Sequence, residues 1–122
     1  MEAIYEIEVT ALGDQVEEFL EQDLIILFND NAPAELAEIS VIHTTSELKG
    51  EIEAGDYIQI DEKKYQITAV GEVVNKNMSR LGHATLRFNG NSEAQLPGDI
   101  NLEKSKLPEI NKGTTIKILK KQ

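Results

Sequence analysis

The chain opens on an alternation. Tyr5, Ile7 and Val9 are separated by Glu6, Glu8 and Thr10, so every second side chain is apolar. A two-residue period places the apolar set on one face of a strand and the polar set on the other. Gly13-Asp14 interrupts the pattern, and Val16, Phe19 and Leu20 then recur at helical spacing. That predicts one or two helical turns between Asp14 and Gln22. Leu24 to Phe28 is a continuous apolar run, as expected of a short strand buried on both faces. Asn29-Asp30-Asn31 reads as a turn, with Asn31 placed to cap a short helix over Pro33 to Glu38.

Further on, Ile39 to His43 reads as a strand with Val41 and His43 on one face and Ser40 and Ile42 on the other. The clearest hairpin follows. Ile58 and Ile60 lead into Asp61-Glu62-Lys63-Lys64, and the return strand carries Tyr65, Ile67, Ala69, Gly71 and Val73 on one face. His83 to Phe88 is another strand, ended by the turn pair Asn89-Gly90. Pro97-Gly98 and Pro108 punctuate the tail, and Ile116 and Ile118 alternate with Thr115 and Lys117 in a last strand. Many short strands with frequent turns predict an all-β fold, a sheet closing on itself with one or two short helices. No linker, repeat or low-complexity segment divides the chain, so residues 1–122 read as one domain.

Charge and composition narrow the function classes. The formal net charge is -10. That argues against a nucleic-acid backbone and against an anionic membrane surface as partner. It allows steering towards a basic protein, although acidity that serves only solubility accounts for it equally well. No cysteine is present, which excludes a disulfide framework and suits a reducing compartment. The run Leu24 to Phe28 is far too short to cross a bilayer, and the first residues lack the basic and apolar segments of a signal peptide. A cytoplasmic protein with no direct membrane insertion is expected.

Candidate chemistry centres on two histidines, His43 and His83. Imidazole is the one nucleophile here that titrates near neutral pH. Neither histidine has metal-ligand spacing, and no P-loop, dinucleotide fingerprint or nucleophile elbow occurs, so no metal or cofactor is expected. On a strand, His83, Thr85 and Arg87 share one face while Ala84, Leu86 and Phe88 share the other. An imidazole, a hydroxyl and a guanidinium in a row suit an oxyanion or a phosphate. An ordinary solvated strand face would show the same pattern. His43 ends its strand, where a side chain can reach the sheet rim, and Lys49 follows close enough to offset a negative group on the ring. A surface histidine beside a turn is the plain alternative.

Several segments together resemble a known family. Ala32-Pro33-Ala34-Glu35-Leu36, Val41-Ile42-His43, Glu47-Leu48-Lys49-Gly50, Tyr65-x-Ile67-Thr68-Ala69-Val70-Gly71, Leu81 to Gly90 and Leu96-Pro97-Gly98 stand in order along the chain. In that order and spacing they resemble the glucitol/sorbitol-specific IIA component of the bacterial phosphotransferase system, from about Ile4 to Ile118. The resemblance implies a phosphocarrier that accepts a phosphoryl group from phospho-HPr and passes it to a IIB component, working with the IIC membrane component. It implies an all-β mixed sheet closed as a pseudobarrel, and His43 as the accepting residue.

Such chemistry needs a neutral imidazole as nucleophile, in-line positioning and donors for the equatorial oxygens. His83, Thr85, Arg87 and, more weakly, Lys49 are the candidate donors. The expectation is a solvent-reachable His43 within an apolar patch rimmed by acids, with His83 close enough to contact the phosphoryl group or the His43 ring. Two rival readings remain: a β-barrel module binding a sugar, a sugar phosphate or a protein without covalent chemistry, and a small metal-dependent enzyme.

Overall fold

The computed structural model describes residues 1–122. In chain order the elements are β1 (Ala3–Leu12), α1 (Val16–Glu21), β2 (Leu24–Asn29), α2 (Ala34–Ala37) and β3 (Val41–His43). There follow β4 (Tyr57–Ile60), β5 (Lys63–Val70), α3 (Val74–Leu81), β6 (Ala84–Arg87), β7 (Asp99–Leu102) and β8 (Thr115–Leu119). The strands close into a barrel in the order β1-β3-β2-β6-β7-β5-β4-β8. Pairs β2/β3 and β6/β7 are parallel, and the others are antiparallel. Closure leaves no free edge, so every strand has two neighbours for its backbone groups. The expected all-β mixed sheet folded into a barrel is therefore what forms.

Alternation explains which side each strand buries. Tyr5, Ile7 and Val9 of β1 lie in the interior with Ile58 and Ile60 of β4, and Ile116 and Ile118 of β8. The β4/β5 hairpin turns at Asp61-Glu62, and Asp61 has a φ of 52°. A left-handed residue in a two-residue turn matches the twist of the flanking strands, and Asp tolerates it better than most. β5 ends at Val70, three residues short of the expected Val73.

Two elements depart from expectation. Val74–Leu81 forms a third helix, in a stretch after Val73 for which the pattern predicted no element. Its Val74 and Met78, four residues apart, are buried on one face. Asp99–Leu102 forms β7, between Pro97-Gly98 and Pro108, where no strand was expected. All four of its residues are buried, polar ones included. Asn31 does not cap α2; the cap position is Pro33, with no side-chain bond, and the Asn31 N–H instead donates to Asn29 Oδ1 at 3.3 Å.

The last strand is fastened from the side. Lys120 Nζ donates to the Glu51 carbonyl, Glu53 Oε1 and Asp56 Oδ2 at 2.7 to 2.9 Å. The Asp56 side chain is wholly enclosed and also accepts from the Glu53 and Lys121 N–H groups. Burial alone would raise its pKa, but these hydrogen bonds outweigh burial and hold the carboxyl below its ordinary range.

Candidate functional site

The two histidines meet at one peptide. Helix α3 ends at Gly82, which adopts a φ of 59°, and β6 begins two residues later. The Gly82 carbonyl oxygen lies 2.8 Å from His43 Nε2, and the same peptide unit carries the N–H of His83. A Cβ at position 82 would stand 2.5 Å from His43 Cε1 and 3.0 Å from the Tyr5 hydroxyl. Glycine is therefore required twice over, by the left-handed backbone and by the close approach.

His43 faces the barrel interior. It pairs in register with Val9, a core residue, so both point inward. The residue is 0% exposed. Nδ1 lies 2.8 Å from the Thr44 carbonyl oxygen, while Nε2 faces Gly82. Both neighbours can only accept, whereas a neutral imidazole has one N–H and one lone pair. Neither nitrogen thus presents a lone pair to open space. The Tyr5 ring meets the imidazole edge-on at 6.3 Å, and burial pushes the Tyr5 hydroxyl up to about 12, keeping it neutral. The expected solvent-reachable ring within an apolar patch is not found. Inward alternation from Val41 carries His43 into the core, and the end of α3 covers it.

His83 faces the other way. Its neighbour across the sheet is Phe28, which with Ile42 lies outside the interior cluster although both are buried. The Phe28 and His83 rings stack at 4.8 Å with a 38° tilt. His83 Nδ1 lies 2.9 Å from the Leu27 carbonyl oxygen, so that nitrogen carries the hydrogen and donates. Nε2 has no protein partner. It is not among the buried side-chain atoms lacking one, which are Ser40 Oγ and Asn101 Oδ1, so it opens to solvent. The expectation that His83 lies near His43 holds for the backbone. Their rings lie on opposite faces, and it is the carbonyl before His83 that touches the His43 ring.

The other expected residues are less well placed. Thr85 is half-buried on the His83 face, and its hydroxyl makes no protein hydrogen bond. Arg87 lies four residues from His83, about 13 Å along an extended strand, and its Nε–H donates to Asp99 Oδ2 at 2.7 Å. That ion pair already occupies part of the guanidinium. Lys49 is exposed beside the start of β1, where its N–H donates to the Ile4 carbonyl, and no ion pair links it to either histidine. Sequence reasoning missed α3, which contributes exposed Lys76, Arg80 and Leu81 just before Gly82. This helix contains two basic residues and no acid in a strongly acidic chain. No group of three or more His, Cys, Asp and Glu side chains suited to a metal ion occurs.

Residues 4–117 match the family model described as the PTS system glucitol/sorbitol-specific IIA component. The glucitol/sorbitol-specific EIIA component of Shigella flexneri is 36% identical over 117 residues, spanning 96% of this chain and 95% of that protein. That of Escherichia coli (strain K12) shows the same identity and coverage. The chain belongs to the glucitol/sorbitol-specific IIA family. The crystal structure of a PTS system IIA component from Enterococcus faecalis V583 superposes with a TM-score of 0.84 at 29% identity, covering 94% of this chain and 99% of that one. Members of this IIA family are phosphotransferase-system components that carry phosphate on histidine, and membership makes this chain a phosphocarrier. No helix is long and apolar enough to cross a membrane.

Proposed function

We propose that this IIA protein takes a phosphoryl group from phospho-HPr in the cytoplasm and hands it to the IIB component during glucitol/sorbitol uptake, the IIC component moving the sugar through the membrane. One observation carries this reading: a full-length family match whose fold brings both histidines of the chain to the single peptide at Gly82. The step needs only an imidazole nucleophile and a placed phosphoryl group, with no metal or organic cofactor. The family resemblance puts the phosphoryl group on His43. In this conformation that would require the Gly82 carbonyl to withdraw from Nε2 and the end of α3 to swing aside.

Incubation with phosphoenolpyruvate, enzyme I and HPr tests the reading. Acid-labile phosphate should appear on the chain and then move to an added IIB domain. A chain that stays unlabelled while HPr is phosphorylated would be a binding or regulatory module instead.

A further inference from the structure

We propose that Tyr5 is a second catalytic residue of this carrier: its hydroxyl donates a hydrogen bond to the phosphoryl group while that group is bound to His43 Nε2. The proposal rests on the reading of His43 as acceptor and names the donor such a site needs. It comes from what surrounds the enclosed ring. The carbonyl oxygens of Thr44 and Gly82 lie 2.8 Å from its two nitrogens, and both can only accept. A phosphoryl group brings further negative oxygens to the same spot, so a hydrogen-bond donor is required there. The His83 and Thr85 side chains lie on the other face of the sheet and point away from it.

Tyr5 meets the requirement. Its ring approaches the imidazole edge-on at 6.3 Å. A Cβ built on Gly82 would lie 3.0 Å from the Tyr5 hydroxyl and 3.1 Å from His43 Nε2, so both atoms border one spot beside Gly82. A phosphoryl oxygen on Nε2 stands two bonds out from the nitrogen, and an O–H···O bond spans about 2.7 Å. Those lengths suit the space between the two atoms once the Gly82 carbonyl has withdrawn. Tyr5 belongs to β1 and His43 to β3, which pair directly, so neither moves with the end of α3.

The hydroxyl is also spare. Tyr5 is 3% exposed, and a hydroxyl buried to that degree ordinarily finds a partner. This one has no hydrogen bond within the protein. It is not among the sealed unpartnered atoms, Ser40 Oγ and Asn101 Oδ1, so the little exposure Tyr5 retains includes the hydroxyl. A free donor therefore stands at the edge of the space beside His43. Burial pushes its pKa up to about 12, which keeps the proton on oxygen throughout the neutral range.

The step balances without a co-reactant. Nδ1–H of His43 donates to the Thr44 carbonyl, which leaves the lone pair of the neutral ring on Nε2. That pair attacks phosphorus of the donor phosphohistidine. The new N–P bond forms as the donor N–P bond breaks, and the released pair returns to the donor ring as a neutral imidazole. His43 keeps its Nδ1–H and becomes formally cationic. Tyr5 keeps its proton and lends only the hydrogen bond that holds the group in line. Transfer to the next carrier is the same step in reverse.

The test compares wild type with Tyr5→Phe, which keeps the ring and removes only the hydroxyl. With phosphoenolpyruvate, enzyme I and HPr, both proteins should be labelled at His43. The variant's maximal rate of acceptance from phospho-HPr should fall about 10- to 100-fold. Its KM for phospho-HPr and its urea unfolding midpoint should stay at the wild-type values, because the enclosed hydroxyl holds no protein group. In wild type carrying tyrosine isotopically labelled at Cζ, phosphorylation should shift the Tyr5 resonance and leave that of Tyr57 in place. This second measurement decides the matter even if the variant fails to fold. An unchanged maximal rate in folded Tyr5→Phe, or a Tyr5 resonance that phosphorylation does not move, would overturn the proposal, while label on His43 would leave the carrier reading intact. Wild type that takes no label on His43 would remove both.

Discussion

The two histidines of this chain share a backbone neighbourhood but not an environment. His43 lies on the inside of the barrel wall, sealed by Gly82 and in contact with Tyr5. His83 lies on the outside, stacked on Phe28 with one nitrogen free. The same side chain is thus a packed strut in one place and a partly open ring with a free nitrogen in the other. What separates them is strand direction and alternation, not residue type: Val9 and Val41 set the inward side for His43, and Phe28 marks the outward side for His83. A histidine's chemistry is decided by which face of the sheet it occupies and by whether a carbonyl has claimed its second nitrogen.

Unequal stability costs would sharpen this contrast. His43→Ala removes a buried ring and takes the N–H donor from one of the two carbonyl groups beside it, so it should cost about 3–5 kcal/mol. His83→Ala, at a half-exposed site, should cost about 1 kcal/mol or less. Urea unfolding of both variants measures this, and equal losses would erase the distinction between the enclosed ring and the open one. Gly82→Ala should come next, at about 2–4 kcal/mol, because the new methyl meets the His43 ring and the backbone is left-handed. A melting temperature within a degree of wild type would show that α3 sits looser over His43 than described.

A further loss, smaller than that of His43→Ala, is expected at the clasp around Asp56. Asp56→Asn should cost about 2 kcal/mol near neutral pH. The folded carboxyl is held below its ordinary range, so its contribution is complete at neutral pH and is lost as pH falls from about 4 through the folded value. Thermal melts of wild type and variant should therefore converge in acid, while phosphoryl acceptance at neutral pH stays unchanged. A constant gap between the melts at every pH would contradict the role given to Lys120.

Much of the barrel was legible because its signals are local. Tyr5, Ile7 and Val9 alternate within six residues, and the β4/β5 hairpin declares its turn and both faces in one stretch. The outward row of His83, Thr85 and Arg87 was legible for the same reason. β7 was not, since Asp99 and Asn101 are polar yet buried. Asp99 is enclosed because Arg87 reaches it from the neighbouring strand, and Asn101 because its amide donates to the Asn91 and Glu93 carbonyls. α3 carries no capping side chain to announce it. The closure of Gly82 onto His43 joins positions 39 apart, and no local pattern encodes that contact. Reading His43 as exposed failed because the inward face of a three-residue strand is set by partners elsewhere in the chain.

The pairing of β1 with β8 brings Ala3 beside Leu119, and β8 also supplies the second neighbour of β4. The barrel therefore cannot shut until segments more than a hundred positions apart find one another. Ring closure over that span is entropically costly and cannot nucleate locally. Folding should accordingly run on the millisecond-to-second scale of non-local β-proteins, with the last seam setting the pace.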